Sequence, residues 1–234
     1  HRGGGIGKQS DGAGIMVRPD RKFFEQFISP GLQLPEAERL MVGNAWVLPE
    51  MHGNALRLQR EVDEHIVEAG LKPMGWRKVP VRPDVLPSHV AQSMPEFWQV
   101  LMARNFVGEE ELRKAMYLLR NQLGGEMHGM YFPSFMPDTL VYKNLCSGTE
   151  LPEVFPDLKD PDFKTSAAIF HRRYSTNTTP KFALAQPFGV VVHNGEINTN
   201  PANVNAVRDF ERAARLFFKI LMRQGSDSAN LDRM

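Results

Sequence analysis

The chain has 234 residues, with 28 Lys and Arg against 27 Asp and Glu, for a formal net charge of +1. That balance removes any bulk electrostatic case for nucleic acid or an anionic membrane as partner, and no apolar run approaches the roughly 18 residues that a membrane span requires. A hydrophobic share of 42% can build a core, and the single cysteine excludes an internal disulfide framework; both suit one sheet-rich domain in a reducing, cytoplasmic setting.

In chain order, Ile15 to Val17 reads as a short strand, Arg21 to Ile28 as a short helix, and Met41 to Leu48 as a buried strand. Ala55 to Ala69 is helical, because Leu58, Val62 and Ile66 fall on one face. Gly70 stands just past it, where a left-handed residue ends a helix. Trp76 to Val81 starts a strand that Pro83 ends, and Phe97 to Phe106 reads as another. Glu109 to Leu123 is a charged amphipathic helix stopped by Gly124-Gly125. Met130 to Phe135 and Thr139 to Leu145 read as paired strands joined by a turn at Pro137-Asp138. Ala167 to Phe170 and Phe188 to Val192 are apolar strand-like runs. Val204 to Met222 is a helix with Val207, Phe210, Ala214, Phe217 and Leu221 on its buried face. Helices and strands alternate irregularly, with adjacent strand pairs, which favours antiparallel sheets over a doubly wound parallel one.

The last two strands each run into polar residues. The first ends at His171-Arg172-Arg173 and the second at His193-Asn194-Gly195-Glu196. Side by side, they would form a polar rim at a sheet edge, where ligands are commonly held. An arginine offers a planar fork that matches a carboxylate. An Asn amide beside a Gly backbone N–H supplies two neutral donors that can converge on one oxygen, the layout of an oxyanion hole. Such a rim suits a small amino acid with a side-chain carbonyl. Each feature also has a plainer reading. An arginine at a strand end can be a surface ion-pair residue, Asn-Gly can be a tight turn, and Asp227 between two serines can be a helix N-cap. Cys146 reads as a small packed side chain and not as a nucleophile with His171 or His193 as base. The histidines do not sit at metal-ligand spacings, and the Gly-rich start lacks the Lys-Ser/Thr of a P-loop.

The stretch His171-Arg172-Arg173-Tyr174-Ser175-Thr176-Asn177-Thr178, followed by Ala185-Gln186-Pro187-Phe188 and His193-Asn194-Gly195-Glu196-Ile197-Asn198-Thr199, resembles the glutaminase domain of the glutamate synthase large subunit. That domain is a class II glutamine amidotransferase of the N-terminal-nucleophile hydrolase superfamily. Asp11-Gly12-Ala13-Gly14-Ile15, Val141-Tyr142-Lys143-Asn144-Leu145 and Gly225-Ser226-Asp227-Ser228-Ala229 fit the same family in the same order. The resemblance implies a four-layer αββα sandwich, two antiparallel sheets between helices, formed by residues 1–234 as a single domain incomplete at both ends.

It also implies an activity in nitrogen assimilation: hydrolysis of glutamine to glutamate and ammonia, with the ammonia delivered to a synthase active site on another domain or subunit. FMN and an iron–sulfur cluster are expected in that synthase partner and no cofactor in this domain. By the resemblance, Arg173 would bind the glutamine α-carboxylate, and Asp227 would accept from the α-ammonium. Asn194 and Gly195 would form the oxyanion hole. Tyr174, Thr176 and Asn177 would shape the pocket, with Glu196 and His193 in support. The family's nucleophile, a cysteine with its own α-amine as base, precedes the segment matched by His1-Arg2-Gly3, so the chain as written is expected to be inactive. A non-catalytic glutamine-binding module of the same fold is the alternative. Two segments depart from the family pattern: Asn200-Pro201-Ala202-Asn203-Val204-Asn205-Ala206 stands for a usual Gly-Asn-x-Asn-Trp, and Pro180-Lys181-Phe182 for Pro-Ser-Trp.

Overall fold

Two ten-residue strands, Glu38–Val47 and Glu96–Asn105, organise the larger of two sheets. The computed structural model describes residues 12–105, 108–172, 180–193, 195, 197–198, 200–214, 220 and 226–234. Its elements in chain order are β1 (Ala13–Val17), α1 (Arg21–Glu25), β2 (Glu38–Val47), α2 (Ala55–Glu68), β3 (Lys72–Lys78), α3 (Ser88–Gln92), β4 (Glu96–Asn105), α4 (Glu109–Glu126), β5 (Met130–Tyr131), β6 (Leu140–Asn144), α5 (Leu151–Val154), β7 (Ala168–His171), α6 (Pro201–Ala213) and α7 (Asp227–Arg233). One sheet has the order β3-β4-β2-β5 and the other β6-β1-β7. Every pairing among these strands is antiparallel.

The period-two alternation of β2 and β4 builds two cores at once. Val42, Trp46, Phe97 and Leu101 face the smaller sheet and meet Val17, Leu140 and Tyr142 from it. Met41, Ala45, Val100 and Met102 face the other way, onto Leu58, Val62 and Ile66 of α2 and Leu112, Met116 and Leu119 of α4. On the outer face of the smaller sheet, Leu184, Ala185 and Phe188 close a third cluster with Ala229 of α7. The result is helix, sheet, sheet and helix in layers, the αββα sandwich expected from the resemblance. Helix α2 ends as expected: Gly70 has φ +75°, its N–H reaches the Val67 carbonyl, and the Leu71 N–H reaches Ile66. These two bonds close a Schellman motif.

Five expectations need correction. Met130–Phe135 and Thr139–Leu145 do not form a hairpin: β5 pairs with β2 in one sheet and β6 with β1 in the other, and an isolated bridge between Met136 and Thr139 is the link between them. Phe132 and Phe135 pack into the α2–α4 core instead, with the Phe135 ring lying against the backbone of Gly43. Helix α4 continues through Gly124-Gly125 to Glu126, and the missing side chain at Gly124 leaves room for the Arg233 guanidinium, 2.9 Å from where a Cβ would sit. Phe188–Val192 is not a strand; Gly189 packs on the Pro133 carbonyl, and the next two amides are bonded to a side chain described below. Helix α6 starts at Pro201, capped by the Asn200 side chain accepting from Ala202 N at 2.8 Å. Its Phe210 and Ala214 are exposed, whereas Glu211 is buried; Phe217 and Leu221 lie outside the described residues.

A buried polar ladder runs between the sheets. Asp157 receives a bidentate Arg77 (2.5 and 2.8 Å) and the Tyr142 hydroxyl (2.8 Å). Gln99 then links Arg77 and Tyr142 to Asn44, which donates to Ser134 Oγ and the Val141 carbonyl. The Arg77 guanidinium also lies 4.3 Å from the Phe27 ring centroid, an arrangement that offsets part of its desolvation.

Candidate functional site

The register of the smaller sheet gathers three motif segments at one end. Gly14 of β1 stands opposite Lys143 of β6 on one side and His171 of β7 on the other. The segment Ala185–Phe188 crosses over this point, with Ala185 and Phe188 buried. A Cβ at position 14 would fall 2.5 Å from the Gln186 carbonyl oxygen, 2.6 Å from Lys143 Cβ and 2.9 Å from Pro187 Cδ. Backbone approach of this kind admits only glycine, which accounts physically for a glycine in β1 facing an Ala-Gln-Pro-Phe segment far along the chain.

Beneath that crossing lies Lys143, fully buried. Its ammonium donates to the Ala183 carbonyl (2.9 Å) and the Tyr131 hydroxyl (3.3 Å) and sits 4.7 Å from the Phe188 ring centroid. Burial pushes its pKa down to about 7, against an opposing pull from the Asp232 carboxylate.

The His193–Gly195 turn is held by α7. His193 Nδ1 lies 2.8 Å from the Gly195 carbonyl and Nε2 lies 2.7 Å from Ser228 Oγ. A carbonyl can only accept, so Nδ1 carries the proton; in the neutral ring, Nε2 then accepts from the serine hydroxyl. Just ahead of this turn, the amides of Val190 and Val191 donate to Asp232 Oδ1 at 2.6 and 2.8 Å. The other Asp232 oxygen pairs with Arg120 of α4.

Of the expected site residues, Gly195 and Asp227 are described. Gly195 is exposed, and a Cβ there would meet nothing within 4 Å. Asp227 opens α7 but does not cap it: Ser226 Oγ is the cap, accepting from Ala229 N at 3.2 Å. The α7 helix thus brings Asp227 and the Gly195 turn into one frame. Arg173, Tyr174, Thr176, Asn177, Asn194 and Glu196 lie outside the described residues. Arg172 lies against the backbone of Gly148. Cys146 is buried in the inter-sheet core, and burial, reinforced by Glu150, pushes its thiol up to about 12, which disqualifies it as a thiolate. Sequence reasoning missed Lys143, Ser228, Asp232 and Arg120 as parts of this corner. A lysine inside an apolar strand was a usable signal for the first, and Ser228 stands in the Gly225–Ala229 motif; nothing local marks Asp232 and Arg120.

A cavity of about 450 Å³ opens at the far end of β1 and β7, lined by Arg18, Arg39, Arg113, Glu109 and Asp138. Its charges are largely consumed among themselves, since all three arginines contact Asp138. Among the described residues, no group of three or more His, Cys, Asp or Glu is placed to hold a metal ion, and no helix is long and apolar enough to cross a membrane.

The family model described as "Glutamine amidotransferases class-II" matches residues 1–234. The chain is similar to a ferredoxin-dependent glutamate synthase 2 of Synechocystis sp., with 36% identity over 99% of this chain and 16% of that protein. It is similar to the glutamate synthase [NADPH] large chain of Azospirillum brasilense, at 35% over 90% of this chain and 14% of that protein, and to that of Bacillus subtilis, at 31% over 99% and 16%. The chain therefore spans about a sixth of the length of these relatives.

Proposed function

Because this chain belongs to the class-II glutamine amidotransferases, we propose that its 234 residues form one glutaminase domain that hydrolyses glutamine and hands the ammonia to a glutamate synthase active site on another domain or subunit. In this reading Arg173 binds the α-carboxylate and Asp227 accepts from the α-ammonium. Asn194 and the Gly195 N–H polarise the side-chain carbonyl, while Tyr174, Thr176, Asn177 and Glu196 shape the pocket. The observation that carries it is the bond chain from Gly195 through His193 to Ser228, next to Asp227 on the same helix. This link supports the reading because a pre-organised head-group acceptor and oxyanion donor lower the barrier for acyl transfer.

The chemistry is attack of a cysteine thiol on the amide carbon, expulsion of ammonia, and hydrolysis of the resulting γ-glutamyl thioester. The resemblance places that thiol ahead of His1, and Cys146 is not it. FMN and iron–sulfur chemistry belongs, in this proposal, to the synthase partner, and no step here passes through either. A second reading is a non-catalytic glutamine-binding module of the same fold.

The test is glutamine hydrolysis by the full natural chain and two variants. Arg173→Ala should raise KM by orders of magnitude, and Asn194→Ala should lower kcat by roughly 10²–10³ with little change in KM. Unchanged kinetics in the first, or a pure KM effect in the second, refutes the assigned roles. Glutamine binding without hydrolysis in the natural chain selects the second reading.

A further inference from the structure

We propose that Asp232, locked by Arg120, is the positioning residue that presents Gly195 to substrate; this rests on the glutaminase reading above. A strand over Phe188–Val192 would have satisfied the amides of this run in a ladder, yet Val190 and Val191 instead give both N–H groups to one carboxylate oxygen, at 2.6 and 2.8 Å. A buried carboxylate that accepts two amides and faces a guanidinium is a stiff anchor, because each charge-assisted bond is about twice as strong as a neutral one. Asp232 is 4% exposed and Arg120 6%.

Arg120 does more than neutralise. One of its nitrogens donates to the Asp232 main-chain carbonyl at 2.9 Å while the other meets the side chain, so α4 holds both ends of the same residue. Neighbouring bonds fix the rest of α7 to α4: Arg233 Nε donates to Asn121 Oδ1 at 3.1 Å, and the Tyr117 hydroxyl donates to the Arg233 carbonyl at 3.1 Å. Since α4 is packed on the larger sheet through Leu112, Met116, Leu119 and Leu123, the anchor ties this run to a buried core. His193–Ser228 fixes the turn from one end of α7 and Asp232 from the other. Two anchors, at Val190–Val191 and at His193, restrain Gly195 more than either would alone.

The experiment compares the full natural chain with Asp232→Ala in glutamine hydrolysis and in hydrogen–deuterium exchange of the peptide covering residues 188–193. The variant should lose kcat by about 10- to 100-fold, as expected for a reacting group displaced by about an ångström, with KM within about threefold because Arg173 and Asp227 still hold the head group. Exchange at 188–193 should accelerate while the strands of the larger sheet keep their protection. If Asp232→Ala does not fold, Asp232→Asn decides: its weaker neutral acceptor should shift both readouts in the same direction by a smaller amount. Unchanged exchange at 188–193, kcat within about twofold of wild type, or a rise in KM alone overturns the inference. A wild-type chain that releases no glutamate from glutamine refutes the glutaminase reading itself, a different outcome from an active wild type with an indifferent variant.

Discussion

Replacing Lys143 by Met should remove a pH dependence from the stability of this fold. The Lys143 pKa falls from 10.5 to about 7, chiefly through burial, which corresponds to about 5 kcal/mol in favour of the neutral amine over the ammonium in the folded state. A lowered folded-state pKa means that the unfolded chain binds the proton more tightly. Between pH 7 and 10.5 the unfolded state therefore carries more protons, and stability rises with pH across that window; below pH 7 the full burial cost is present. Integrated from about pH 7 to 9, this one group contributes a gain of about 2 kcal/mol. Lys143→Met also removes the ammonium's bonds to the Ala183 carbonyl and the Tyr131 hydroxyl, which stay bonded to each other at 2.8 Å, so the absolute offset between the proteins is not diagnostic, whereas the slope is. Urea unfolding at about pH 7 and pH 9 should show the wild type gaining about 2 kcal/mol more than the variant. A difference between the two proteins that stays constant across the two pH values refutes the burial argument.

Gly14→Ala would put a methyl among the Gln186 carbonyl, Lys143 and Pro187, all within 2.9 Å of the new Cβ; the expected loss is about 1–3 kcal/mol, read as a lower Tm by calorimetry, and an unchanged Tm would show that the crossing segment can lift. Asp157→Ala leaves the buried Arg77 without its bidentate partner and should cost about 3–5 kcal/mol, with much of it recovered by Arg77→Met in the same chain. A single variant within about 1 kcal/mol of wild type in urea unfolding, or a double variant no better than the single, counts against this account of the ladder.

How much of this is visible in the sequence depends on range. The α2 helix is local: its Leu58, Val62 and Ile66 stripe and the Gly70 stop are both present as expected, because a 3.6-residue period and a left-handed cap involve only near neighbours. Strand partners are not local. The run from Met130 to Leu145 has the pattern of a hairpin, yet its halves join different sheets, since an apolar strand records that it is buried and not beside what. Phe188–Val192 has strand composition, but a distant carboxylate is the stronger acceptor for its amides.

The candidate site divides in the same way. Ordered motifs alone indicate the family and, through that resemblance, the αββα layering, because a family's motif residues keep their kinds and their order. What tertiary structure decided is how they are held. That Gly14 must be a glycine follows from the Gln186–Pro187 crossing above it, and that Ser226 rather than Asp227 caps α7 follows from the direction of one hydroxyl. Arg120 and Asp232 are 112 residues apart, and neither stands in a recognisable motif. Their pairing exists because burial makes an unpartnered charge too costly, and only the folded chain determines which charge is near enough to relieve it.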